Sequence, residues 1–513
     1  MKRACLFAAF LLSWFIAPVV SSAQNKPKPN IIFFLVDDMG WQDTSVPFWT
    51  EATPFNHLYH TPAMERLAAS GMKFTQAYAS SVCSPTRVSL MTGMNAARHR
   101  VTNWTLRKNA SNDAKDDVLE YPLWNVNGLS PVPGIERTVY ATPLPAVLRN
   151  NGYYTIHCGK AHWGAIATPG ADPKNLGFDV NIAGHAAGGP ATYQGRNDFG
   201  NNSPDAGKQV WAIPGLQKYW GQDINLSDAL TREAMLAMDT ALSLHKPFYL
   251  YLSHYAIHVP LEADHRYYKK YQDQGLPESE ARYASMIEGM DKSLDDILNY
   301  IDEKGIAGNT IIIFMSDNGG LSAHARAGSP HTHNAPLNSG KGSAYEGGIR
   351  EPMLVRWPGV TEGGSTCDQY IIAEDFFPTI LSLAKIKTPE TVQHVDGISF
   401  EDLLKNPQAK RKSRNLYWHF PNNWGPAGPG IGATSSIRSG NWKLIYYYKD
   451  ARSELFNIKD DIGEKNNIAQ KYPAMVKSLA SRLTVYLKEV KAQRPVYKSN
   501  GKHTPWPGER ASL

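Results

Sequence analysis

Cysteine is scarce in this chain: four occur in 513 residues, which excludes the disulfide-dense class of small secreted scaffolds. Long hydrophobic runs are also missing. The longest, Leu6 to Val20, is shorter than the roughly 20 residues that a membrane-spanning helix needs. Lys2 and Arg3 before it, and Ser21, Ser22 and Ala23 after it, form the pattern of a secretory leader. Residues 1–23 are therefore expected to be removed, leaving an exported chain, periplasmic or secreted, with no stable membrane insertion. No basic run exceeds the cluster Lys410, Arg411, Lys412 and Arg414, and the net charge of +6 includes Lys2 and Arg3. Nucleic acid is excluded as a partner on that ground. No internal repeat or low-complexity array is present, and a composition 42% hydrophobic and 11% aromatic excludes disorder as the main state and supplies one large core and a smaller one.

With Cys5 in the leader, Cys83, Cys158 and Cys367 are left, an odd number for an exported protein. At most one disulfide forms, and one cysteine needs another explanation.

Four short apolar runs rich in β-branched and aromatic residues read as buried strands: Ile31 to Val36, Tyr153 to His157, Phe248 to Leu252 and Thr310 to Met315. Helical patterns lie between them. Thr61 and Pro62 start one that Gly71 stops, and Thr142 and Pro143 start one that ends at Gly152. Longer helices fit Ser227 to Leu244 and Arg282 to Lys304. The alternation predicts an α/β fold, a mostly parallel sheet sandwiched by helices, with ligands beyond the carboxyl ends of the strands. After about residue 405 the pattern changes to strand-like Asn415 to Phe420, Ser435 to Arg438 and Lys443 to Tyr448, then a helix over Pro473 to Val490. The division expected is a catalytic domain over 24–405 and a smaller antiparallel sheet with one helix over 406–513, ending in an irregular tail from Arg494.

Chemistry gathers at the strand ends. The first strand runs into Asp37 and Asp38, and the Thr310 to Met315 strand into Ser316, Asp317, Asn318, Gly319 and Gly320. Three carboxylates and an amide on one sheet edge suit a hard divalent cation such as calcium, which takes six to eight oxygen ligands. Between these clusters lies Ser81-Val82-Cys83-Ser84-Pro85-Thr86-Arg87-Val88-Ser89-Leu90-Met91-Thr92-Gly93. A helix starting near Pro85 would aim free N–H groups and its positive dipole end at an anion.

Cys83, Pro85 and Arg87, followed by Leu90, Thr92 and Gly93, resemble the signature of the formylglycine-dependent sulfatases of the alkaline phosphatase-like superfamily. In that family the cysteine is oxidised to an aldehyde by a formylglycine-generating or anaerobic maturation enzyme. Further segments resemble the family in the same order. Gly159-Lys160-Ala161-His162-Trp163-Gly164 carries its lysine and histidine, with Ala161 and Trp163 replacing the usual tryptophan and leucine. His258 precedes Pro260 as the family histidine does, and Gly340-Lys341-Gly342 resembles the segment of the second sulfate-binding lysine. These motifs span roughly residues 30 to 360; the C-terminal part agrees only in general pattern.

The resemblance implies calcium held by Asp37, Asp38, Asp317 and Asn318 together with the residue at position 83. It implies that hydrated formylglycine attacks sulfur, that Lys160, Lys341 and Arg87 stabilise the sulfate charge, and that His258 protonates the leaving oxygen. His162 is the expected base that collapses the sulfated intermediate, so Cys83→Ser is expected to trap sulfate. Two rivals stand beside this reading: a phosphatase or phosphonate monoester hydrolase of the same superfamily, and a catalytically dead carbohydrate-binding homologue. Trp104, Trp124, Trp163, Trp211, Trp220 and Trp424, with polar loop residues, favour a sulfated carbohydrate as substrate. Trp104, His254, Arg326, His331 and His333 are the expected substrate contacts, and the resemblance of the histidine-rich loop to that of some polysaccharide-degrading members of the family implies a galactose or N-acetylgalactosamine unit. The sequence leaves the oligomeric state open.

Overall fold

The computed structural model describes residues 27–509; the expected leader, residues 1–23, lies outside them. The main sheet contains Asn30–Val36 (β1), Met72–Tyr78 (β2), Tyr154–Gly159 (β3), Val180–Ile182 (β4), Phe248–Ser253 (β5), Thr310–Ser316 (β6), Arg350–Arg356 (β7), Ser365–Cys367 (β8) and Ile371–Ile372 (β9). Their order is β8-β2-β7-β6-β1-β5-β3-β4, with β9 also beside β2. Within it β7 alone runs antiparallel to its neighbours.

β1, reading NIIFFLV, is buried at every position, as a central strand covered on both faces must be. Its alternate residues feed two cores. Ile32, Phe34 and Val36 pack with Leu226–Ser243 (α1) and Glu278–Glu303 (α2), whereas Ile31, Phe33 and Leu35 share a core with residues of Phe376–Leu383 (α3) and of the Cys83 helix described below. The four expected strands are all present; three are longer by one residue, and the second runs over Tyr154–Gly159, one residue later at its start and two at its end. Sequence patterning misses β2 and β7, and it starts α2 at Arg282 where the structure starts it at Glu278.

The smaller unit is an antiparallel meander of Asn415–Phe420, Thr434–Ser439, Trp442–Tyr447 and Arg452–Asn457. On it lies Pro473–Glu489 (α4), placing Leu479, Leu483 and Leu487 against Ile437, Leu444 and Leu455. The i, i+4, i+8 spacing puts these leucines on one helical face. The tail, expected to be irregular, forms one short strand, Val496–Tyr497, paired with Leu119–Glu120. Among the described residues no helix is long and apolar enough to cross a membrane.

Because β1, β2, β3, β5 and β6 are parallel, their carboxyl ends share one edge. The reversed β7 begins at that edge, so the segment leading into it also arrives there. Topology alone therefore gathers Asp37 and Asp38, Cys83, Lys160, His258, Asp317 and Asn318, and Lys341.

Candidate active site

A cavity of about 330 Å³ opens at this edge, its floor lined by Asp38, Cys83, His162, His258 and Lys341. Cys83 is the first residue of the helix Cys83–Thr92, N-capped by Val82 and closed by Gly93 in the left-handed region. Its side chain is common to two groups of possible ligands, Asp38 with His258 and Asp37 with Asp317, whose donor atoms all lie within 4.8 Å of one another in each group. Burial pushes the Cys83 thiol up to about 11, although Lys160 and Lys341 pull the other way.

Asp37, Lys160, Arg87, Asp317 and Asn318 lie beneath the floor, fully buried. Lys160 Nζ donates to Asp37 Oδ2 at 2.7 Å, and Lys341 Nζ stands 2.7 Å from Asp38 Oδ1. Arg87 Nε donates to Asp317 Oδ2 at 2.8 Å while its Nη1 reaches Ser253 Oγ at 2.6 Å and Lys160 O at 3.1 Å. Arg87 thus grips a carboxylate and the ends of two strands. Asn318 Nδ2 donates to Asp38 Oδ1 at 2.7 Å.

Burial pushes the Asp37 carboxyl well above its usual range against the pull of Lys160, and Asp317 and Asp38 push it further. Burial acts on Asp38 in the same direction, but Lys341, His258 and Lys160 outweigh it and hold that carboxyl below its usual range. Asp37 Oδ1 and Asn318 Oδ1 are buried without a hydrogen-bond partner. Two orphaned oxygen acceptors among crowded carboxylates form a donor set that fits a hard divalent cation.

Asp38 and His162 both hold left-handed backbone, with φ of +62° and +59°. Such a conformation costs a non-glycine residue ~1–3 kcal/mol and persists where surrounding structure imposes it, often at functional sites. The His162 tautomer follows from its contacts: Nε2 donates to Thr105 O at 2.8 Å, leaving Nδ1 as a buried acceptor without a partner. Burial, with Lys160 and Arg87, holds this imidazole well below its usual pKa. His258 is the reverse: Nδ1 donates to Val259 O at 2.8 Å and Nε2 lies 3.7 Å from Asp38 Oδ2. Burial pushes His258 down to about 3, with Lys341 adding to the effect and Asp38 opposing it.

The cavity walls contain Trp104, Trp211, His324 and Trp424. Trp124 and Trp163 are instead core residues, and Trp220 is an exposed side chain away from the cavity. Of the five residues expected at the substrate, only Trp104 lines the cavity. His254 is buried beside the Phe34 ring with Nε2 2.9 Å from Ser293 Oγ. Arg326 is locked by Glu280 at 2.7 Å and by the Tyr283 ring at 4.0 Å. His331 Nδ1 lies 3.3 Å from Ser339 Oγ, and His333 Nε2 donates to Ala327 O at 2.6 Å. These four hold their own loops and cores together. The residues that sequence reasoning overlooked are His324, in the same histidine-rich loop, and Gly188, whose neighbour His162 would meet a Cβ at 2.3 Å. Cys83, Cys158 and Cys367 are all free, so no disulfide is formed among the described residues.

Residues 29–386 match the Sulfatase family, and residues 340–493 match the family described as N-sulphoglucosamine sulphohydrolase, C-terminal. A sulfatase of Formosa agariphila is 29% identical, the match covering 98% of this chain and 97% of that protein. N-acetylgalactosamine-6-sulfatase of Mus musculus is 31% identical over 78% of this chain and 70% of its own length. Among solved structures, Ps i-CgsB superposes with a TM-score of 0.68 at 27% identity, covering 90% of this chain and 93% of that one, and has also been crystallised with k-i-k-neocarrahexaose. With the family matched over most of its length, the chain belongs to the sulfatase family and is a sulfuric ester hydrolase.

Proposed function

We propose that this enzyme hydrolyses sulfate esters of carbohydrates, with formylglycine made from Cys83 as nucleophile and calcium as its metal. The observation that carries the reading is the position of Cys83, whose side chain belongs to both acidic groups at the strand ends. Asp37, Asp38, Asp317 and Asn318 would hold the cation. A bound calcium lowers the pKa of a coordinated hydroxyl and polarises sulfate oxygens, and hydrated formylglycine supplies that hydroxyl.

The chain's own residues divide the remaining work. Lys341, 6% exposed on the cavity floor, neutralises sulfate charge where it meets substrate, while Lys160 and Arg87 fix the carboxylates from below. His162 Nδ1, free to accept, is the base. His258 can exchange a proton only through Nε2, because Nδ1 is committed to Val259 O; the negative charge of a bound sulfate, which favours the imidazolium, would load that nitrogen with the proton it passes to the leaving sugar oxygen. Overall the ester and one water become alcohol, sulfate and a proton. At 3% exposure Cys83 is out of a modifying enzyme's reach in the folded chain, so the maturation enzyme acts before folding closes the edge, in keeping with an exported protein whose leader occupies residues 1–23 and whose two domains span 24–405 and 406–513.

Carbohydrate as the substrate class rests on the aromatic cavity walls and on relatives named for sulfated sugars. The test is sulfate release from a panel of sulfated mono- and disaccharides, set against aryl phosphate mono- and diesters. Release from the saccharides is the expected result; preference for phosphate esters contradicts it.

A further inference from the structure

The cavity rim comes from segments outside the motifs of its floor. Trp104 and Trp211 stand 6.4 Å apart between ring centroids, their planes 40° apart, and Trp424 and His324 form a second pair at 5.8 Å and 43°. Trp424 belongs to the smaller unit yet lies directly on the backbone of Gly342: a Cβ there would come within 2.1 Å of its ring, and the φ of +85° independently favours glycine. Gly342 N in turn donates to Ser81 O at 2.7 Å. Trp424 therefore packs on the Lys341 segment, which is itself bonded to the strand end that leads to Cys83.

One carboxylate ties the two sides of the rim. Asp113 Oδ1 accepts from Asn103 Nδ2, next to Trp104, at 2.8 Å and from Asn423 N, next to Trp424, at 3.2 Å. Its Oδ2 accepts from Asn422 Nδ2 at 3.0 Å and from Trp124 Nε1 at 3.1 Å. Ala114 N adds a backbone bond to Asn423 O at 3.0 Å. The spacing between the Trp104 wall and the Trp424 wall is thus set by Asp113 and its neighbour.

Away from the floor, no lysine, arginine or carboxylate among the described residues lines the cavity. A second anionic group on the bound ring would be desolvated without a partner, which is costly. The volume of about 330 Å³ is at the small end of ligand cavities, which run roughly from 300 to 1,000 Å³.

Resting on the sulfate-ester reading above, we infer that this rim is a subsite for one electrically neutral sugar ring whose only charged group is the scissile sulfate, stacked on Trp104 and Trp424, with Asp113 as the positioning residue that sets their separation. Uronate rings and rings with a second sulfate are discriminated against.

The experiment measures kcat and KM for sulfate release from monosulfated neutral disaccharides and from matched substrates bearing a uronate or a second sulfate on the same ring. It compares wild type with Trp104→Ala, Trp424→Ala, Trp424→Phe and Asp113→Asn, each checked by thermal unfolding. The neutral substrates are expected to be preferred at least tenfold in kcat/KM. Each Trp→Ala change is expected to raise KM about tenfold, the scale of one lost aromatic contact, with kcat much less affected. Trp424→Phe restores most of the affinity, and Asp113→Asn raises KM in the same sense. Faster turnover of uronate or disulfated rings, or an unmoved KM in both alanine variants, overturns the inference while sulfate release by wild type leaves the sulfatase reading standing. Absence of release by wild type from every substrate overturns both.

Discussion

The floor and the rim line one cavity and are made in opposite ways. The floor is charged, buried and built from strand ends, so each of its residues sits in a short local motif that topology delivers to one edge. The rim is aromatic and built from loops, and two of its members, Trp104 and Trp424, are tied to each other through Asp113, which bonds the neighbouring Asn103 on one side and Asn422 and Asn423 on the other. A constellation fixed by strand ends tolerates little change in any member. One fixed by loops can be re-equipped without disturbing the chemistry, which is how one fold serves many substrates.

The comparison breaks most visibly below the floor. Arg87→Met strands the buried Asp317 carboxylate that Arg87 now contacts at 2.8 Å, and losing one partner of a buried pair costs about 3–5 kcal/mol. Chemical denaturation is expected to record that loss, a penalty no rim variant approaches.

Next in size, Lys341→Ala removes a preorganised cation facing the sulfate. It is expected to lower kcat on the order of 10²–10³-fold for every sulfate ester alike, in contrast with rim changes that act on KM for saccharides. Steady-state rates on an alkyl sulfate and on a sulfated disaccharide would separate the two patterns.

Metal removal sharpens the same contrast. Dialysis against a chelator is expected to abolish activity and lower Tm, and calcium at 100 times its Kd is expected to return about 2.7 kcal/mol of stability. Asp317→Ala should lose this calcium response, whereas Trp424→Ala should keep it.

The smallest effect lies outside both regions. Burial, reinforced by Asp375, pushes the Glu374 carboxyl up to about 8, although Asn95 Nδ2 donates to it at 2.8 Å. A carboxyl with a raised folded pKa stabilises the fold below its unfolded value near 4.5, and that contribution is lost as pH rises toward 8. Glu374→Gln, which keeps an acceptor for Asn95, is expected to match wild type near pH 4.5 and to exceed it by roughly 1–3 °C in Tm at pH 8. Thermal scans across that range check the sign.

The legibility of the sequence follows the same divide. Buried parallel strands such as β1 and β6 announce themselves as apolar runs, and the site residues at their ends can be read from sequence alone. β7 was hidden because an antiparallel strand beginning in Arg350 and Glu351 gives no clean apolar run. Arg326, His331 and His333 looked like substrate contacts because polar loop residues often are, but Glu280, Ser339 and Ala327 claim them through contacts that only tertiary structure creates. Conversely, nothing local marks His324 or Asp113: each matters through partners distant in sequence.

The central claim concerns the chemical state of residue 83. Mass spectrometry of the peptide containing position 83, taken from fully active protein, is expected to find the aldehyde of formylglycine in place of the thiol. An intact Cys83 thiol in protein that turns over sulfate esters at full rate would contradict the account.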